Sequence, residues 1–164
     1  MTAGGFGPSS KPGTGYNYDT LAADLDALLK ALDLTDVSLV GHSMGIGEIT
    51  RYIGTYGTER LKKAVPIGTI GPYLVKTPDN PEGRIRHECQ LGGRNWCFAH
   101  WHRRLRRCVD QDFHTDIPRN DIPTMISHGD DDSILPADAT SRRQTKMIKN
   151  VKFVELKGGS HGLT

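Results

Sequence analysis

Apolar residues recur along this chain in short, separated runs, and their spacing changes from one run to the next. Leu21, Leu25, Leu28, Leu29 and Leu32 make one helical stripe, which predicts a helix from Asp19 to Leu32. Asp19 or Thr20 is expected to cap its start, since either side chain can accept from an orphan N–H of the first turn. Val37 to Val40 is a brief apolar run with β-branched ends and reads as a buried strand. A turn over Gly41 to Gly47 follows, with a helical pattern from Met44 to Tyr56, and Ala64 to Ile67 is strand-like again. Late in the chain, Thr124 to Ser127 reads as a strand, Ala137 to Ile148 as a helix, and Val151 to Leu156 as an alternating strand. Strands alternating with helices predict an α/β fold, a mostly parallel sheet with flanking helices.

The middle of the chain interrupts this pattern. Pro72, Pro78 and Pro81 break its start, and from Arg84 to Arg119 there are eight arginines, both tryptophans and all three cysteines. Apolar positions there follow neither period. The organisation expected is a single domain: residues 1–71 carry the first strand–turn–helix, 72–121 form an irregular basic segment, and 122–164 carry two further loops after strands.

Composition narrows the classes. With 164 residues the chain can build one core. A net charge of +2 argues against a nucleic-acid binder as a whole. No apolar run approaches a membrane span, and Met1 to Gly15 lacks the apolar stretch of a secretory signal. Cys89, Cys97 and Cys108 are odd in number and crowded together, a poor disulfide framework, so a reducing, cytoplasmic setting is expected.

The chemistry concentrates in three loops. Gly41-His42-Ser43-Met44-Gly45 fits G-x-S-x-G between a predicted strand and a predicted helix. A turn this tight is expected to need small residues two before and two after the serine. It would hold Ser43 exposed at the strand tip, with the Met44 N–H at the helix start able to donate to an oxyanion. A serine needs a base, and His161 follows the last predicted strand in a glycine-rich loop. An acid that orients the base is expected from His128-Gly129-Asp130-Asp131-Asp132, also after a strand; the residues alone leave the choice among three aspartates open. The order serine, acid, histidine is that of the hydrolases with this elbow.

With these pieces together the chain resembles the metal-free (non-heme) haloperoxidases and related esterases of the α/β-hydrolase fold. The resemblance rests on the segment from Gly5 to Gly68 with its elbow, on PYLVKTPDNPEG, on IPTMISHGDDDSILPADAT and on the closing GGSHGLT, together about two thirds of the chain. It implies that Asp132, the residue before x-x-x-Pro in the G-D-x-D-x-x-x-P loop, completes a triad with Ser43 and His161, and that the Met44 N–H serves the oxyanion. It also implies a cofactor-free reaction. An ester or small carboxylic acid acylates Ser43, and water or hydrogen peroxide then takes the acyl group, peroxide giving a peracid that oxidises halide. The departures are a beginning near the end of the family's fourth strand, an abbreviated cap segment and no helix after the histidine. They predict an incomplete sheet with an open edge able to form a homo-oligomer. They leave as the alternative a hydrolase fragment that is catalytically slow, because a second oxyanion donor normally lies in the part not matched.

The stretch from Ile85 to Thr115 does not resemble the family, and its composition looks like a shifted reading frame. Cys97, His100, His102 and Cys108 could offer zinc two sulfurs and two nitrogens, but the spacing is not a common one. Arginines interleaved with Trp96, Phe98 and Trp101 could stack on single-stranded nucleic acid. The reading favoured over both is a loosely packed basic insert holding neither metal nor nucleic acid.

Overall fold

The computed structural model describes residues 7–10, 12–83 and 111–162. Four strands form one parallel sheet in chain order: β1 (Val37–His42), β2 (Leu61–Ile67), β3 (Thr124–Gly129) and β4 (Val151–Leu156). Helices α1 (Tyr18–Ala31) and α2 (Met44–Tyr56) pack on each other, and α2 also lies against β1. A single 3-10 turn at Ile117–Arg119 precedes β3, and a short α3 (Ser141–Thr145) precedes β4. The parallel α/β sheet with flanking helices is the expected architecture.

Each helix end has a local cause. The N-cap of α1 is Asn17, two positions before Asp19 and three before Thr20, the expected caps: its side chain accepts the Thr20 N–H at 2.8 Å. Leu21, Leu25 and Leu29 of the leucine stripe are buried, but Leu32 is 61% exposed because the helix stops at Ala31. The helix expected from Ala137 to Ile148 contracts to α3. Before it the chain turns more widely, with the Arg142 N–H donating to the Ala137 carbonyl at 2.9 Å. The Thr140 hydroxyl donates to Pro136 O at 2.8 Å, a local bond that competes with regular helix.

The core lies on one face of the sheet. Tyr18, Leu21, Ile70, Leu74, Phe113, Ile117, Ile126, Leu135 and Ile148 form one buried cluster, with Val151 and Phe153 packed against it. Ala22, Leu25, Leu29, Ile49, Tyr52, Ile53 and Leu61 form a second, with Val37 and Leu39 against it. Side chains alternate across a strand, so Val40, Met125 and Leu156 point to the opposite face, and all three are exposed. The outer edge of β1 pairs with no other strand among the described residues.

The irregular middle contributes more than its sequence suggests. Phe113 falls within the stretch read from the sequence as unlike the family, yet it is buried, with its ring centroid 5.3 Å from that of Tyr18. The Phe113 N–H donates to Pro72 O at 2.9 Å, which ties the two described flanks of the segment together. The residues discussed above as a metal set or a stacking surface (Cys97, His100, His102, Cys108, Trp96, Phe98, Trp101) lie outside the described residues, as does most of the stretch read as a shifted frame. No described helix is long and apolar enough to cross a membrane.

Candidate functional site

The site forms where β1, β3 and β4 end, on the rim of the sheet where an open parallel sheet offers its loops. Ser43 sits between β1 and α2 with φ 53° and ψ −118°, a left-handed conformation for a residue with a side chain. Two backbone bonds fix it: Ser43 N–H donates to Ile67 O at 3.0 Å, and Ser43 O accepts from Ile46 N–H at 3.1 Å. Gly41 must be small, because a Cβ there would lie 2.8 Å from Ile49 Cδ1 and 3.1 Å from the Gly45 backbone. The matching expectation for Gly45 is corrected: a Cβ on it would meet open space. The crowding is one-sided, since Gly41 faces the helix whereas Gly45 faces away from the strand.

The structure brings Ser43, His161 and Asp132 together. The Ser43 hydroxyl lies 3.0 Å from His161 Nε2, and His161 Nδ1 lies 2.8 Å from Asp132 Oδ2. A carboxylate only accepts, so Nδ1 carries the hydrogen and Nε2 offers its lone pair to the serine. Met44 opens α2, so its N–H lacks a helical partner and stands beside Ser43 at the positive end of the helix.

Burial separates the three aspartates. Asp130 and Asp131 are exposed; Asp130 accepts the Gly158 N–H at 2.6 Å, and the Asp131 N–H donates to Gly159 O at 3.1 Å. Both hold the acid loop against the histidine loop. Asp132 is 4% exposed. Its Oδ1 accepts the Ile134 and Leu135 N–H groups at 3.0 and 2.8 Å. Burial alone would push its carboxyl up, but the hydrogen bonds from His128, His161 and Leu135 and the nearby His161 charge outweigh that. Together they hold it well below the usual carboxylate range.

Two histidines not among the expected site residues adjoin the constellation. The ring of His42 lies 5.0 Å from that of His161, and its Nε2–H donates to the His161 carbonyl at 2.8 Å. His128 is fully buried, with Nε2 2.7 Å from Leu135 O and 3.1 Å from Asp132 Oδ2. Both stand inside the sequence motifs, but neither position has a periodic or spacing signal that would assign it to the site.

A family model described as the alpha/beta hydrolase fold matches residues 3–109. A Synechocystis protein assigned by name to the non-heme chloroperoxidases is 39% identical over 199 aligned positions, covering 97% of this chain and 72% of that protein. The non-heme chloroperoxidase CPO-A1 of Kitasatospora aureofaciens is 35% identical, with 97% and 72% covered. The crystal structure of a bromoperoxidase from Bacillus anthracis superimposes with a TM-score of 0.81 at 34% identity, again over 97% of this chain and 72% of that one. The chain is thus shorter than these relatives. An alignment of 199 positions against 164 residues also means that the relative carries internal positions with no counterpart here.

Proposed function

Because this chain belongs to the α/β-hydrolase family and is an enzyme of that type, we propose that it is a serine hydrolase working through an acyl-enzyme on small esters. The observation that carries the reading is the continuous path from Ser43 Oγ to His161 Nε2 at 3.0 Å and from His161 Nδ1 to Asp132 Oδ2 at 2.8 Å. Ser43 Oγ attacks the ester carbonyl carbon as its proton passes to His161 Nε2. The Asp132 carboxylate stabilises the imidazolium that results, and the Met44 N–H donates to the developing oxyanion. The tetrahedral intermediate expels the alcohol, which takes the proton from His161. Water, deprotonated by His161, then attacks the acyl carbon and frees the carboxylic acid and Ser43.

Hydrogen peroxide can replace water in the second half. Its attack on the acyl-enzyme releases a peracid, which passes one oxygen to bromide or chloride. The halide is oxidised to hypohalous acid and the peracid is reduced to its carboxylic acid. The names of the relatives favour this acceptor. The partners are therefore an ester or carboxylic acid, peroxide and halide. The edge of β1, unpaired among the described residues and with Val40 64% exposed beside it, supports pairing with a second copy.

The experiment is hydrolysis of p-nitrophenyl acetate by the protein and by Ser43→Ala. Turnover that is lost in the variant, by about 10⁶-fold where background permits, supports the reading, and bromination of a phenolic dye with peroxide and bromide then tests the acceptor. Equal rates for the two proteins leave a hydrolase fold without its chemistry.

A further inference from the structure

Asp132 Oδ2 has two histidines as neighbours: His161 Nδ1 at 2.8 Å and His128 Nε2 at 3.1 Å. Only the first leads to the serine. His128 lies in β3, four residues before Asp132, and its ring is fully buried. The Leu135 carbonyl, 2.7 Å from Nε2, can only accept, so Nε2 carries the hydrogen and stands between that carbonyl and the carboxylate. Nδ1 is buried and meets no hydrogen-bond partner among the described residues. The polar capacity of this ring is thus spent at Nε2, between the two ends of the loop that carries Asp132. A histidine needed for packing alone would leave no reason to bury an unpartnered nitrogen, which is unfavourable.

The geometry points to His128 as a positioning residue for the reaction: its Nε2–H fixes the Asp132 carboxylate and limits how strongly that carboxylate pulls on His161. This inference rests on the triad reading above. The charge on Asp132 is met by the Ile134 and Leu135 N–H groups on Oδ1 and by His161 Nδ1–H on Oδ2, with the single Nε2 hydrogen of His128 shared between Oδ2 and the nearer Leu135 carbonyl. Withdrawing His128 leaves more charge facing His161 Nδ1, which favours the imidazolium, and catalysis begins only once that ring is neutral. The acid limb of the rate profile then moves to higher pH. The other ionisable groups around this point are His42, against the His161 ring, Asp130, on the Gly158 N–H, and Glu155, the register partner of His128 on β4, which is ion-paired with Arg142. None of them is altered by the test.

The test is kcat and KM for p-nitrophenyl acetate against pH, for the wild type, His128→Phe, His128→Asn and His128→Gln. Gln can bring an amide N–H to the place of Nε2; Asn is too short and Phe has no donor. Phe and Asn are expected to lower kcat by about tenfold to a hundredfold with KM little changed, and to move the acid limb to higher pH. Gln is expected to restore most of kcat and return the limb. If Phe does not fold, Asn and Gln carry the comparison. An acid limb unmoved in the donor-lacking variants, or a Gln variant no better than Asn, overturns the proposal. Ser43→Ala run beside them separates the two readings: full turnover in that variant removes the triad itself, whereas lost turnover with an unmoved limb removes only the role of His128.

Discussion

Gly129 and Gly159 meet backbone to backbone: a Cβ on Gly129 would lie 2.0 Å from the Gly159 carbonyl oxygen. This is where the acid loop after β3 crosses the histidine loop after β4, and no side chain fits between them. Gly129→Ala must push the loops apart and carry His161 away from Ser43. We expect a loss of about 2–3 kcal/mol in denaturant unfolding with a fall in ester hydrolysis of about a hundredfold. An Ala variant with wild-type turnover would show that the crossing is not what holds the histidine.

Asp132→Asn keeps the shape of the loop and removes the charge. The amide cannot be relied on to accept from His161 Nδ1, so the ring loses its fixed tautomer and its cation loses its partner. The expected fall in kcat is about 10⁴-fold, measured as initial rates at neutral pH. Asp130→Asn and Asp131→Asn, at exposed positions, are expected within about tenfold of wild type.

Glu48 is nearly buried in α2, and burial, followed by the negative charge of Asp24, pushes its carboxyl up to about 7. In the unfolded chain a glutamate titrates at about 4.3. Between these values the folded state holds the extra proton, so stability falls as pH rises through the window. Glu48→Gln should match the wild type at pH 4 and be more stable by about 1–3 kcal/mol at pH 8. Thermal melts at the two pH values decide it; equal melting at pH 8 would place the Glu48 carboxyl in water.

Phe113→Ala removes a 1%-exposed ring from the cluster that contains Tyr18 and Ile117. The expected cost is about 3–5 kcal/mol in urea unfolding. A cost under about 1 kcal/mol would mean that the basic segment is not anchored in the core.

Val40→Lys places a charge on the open face beside the unpaired edge. Association is expected to weaken in light scattering across a concentration series, since edge charges oppose pairing. A wild type that stays monomeric at every concentration removes the self-pairing reading.

Most of the framework was legible because its signals are local. The elbow needs only a strand, a small residue two before the serine and a helix that follows at once, and Met44–Tyr56 is helical as the spacing predicts. The strands were read short: β2 begins at Leu61 rather than Ala64, because exposed Lys62 and Lys63 hide a segment whose register is set by pairing with β1. The helix from Ala137 was read long because composition does not reveal that hydroxyl-to-backbone bonds loosen its first turn.

By itself the amino-acid sequence determined the order of strands and helices, the site of the serine turn and the two loops that face it. Those features depend on periodicity and on residues close in the chain. The resemblance singled out Asp132, and the tertiary structure supplies the physical reason that it turns inward, since the direction of a loop side chain depends on bonds such as Asp130 to Gly158, made 28 positions away. It also decided that His128 faces the carboxylate and that Phe113 joins the core. Each of these is a contact between segments distant in sequence, and a contact of that kind leaves no periodic trace in a single chain.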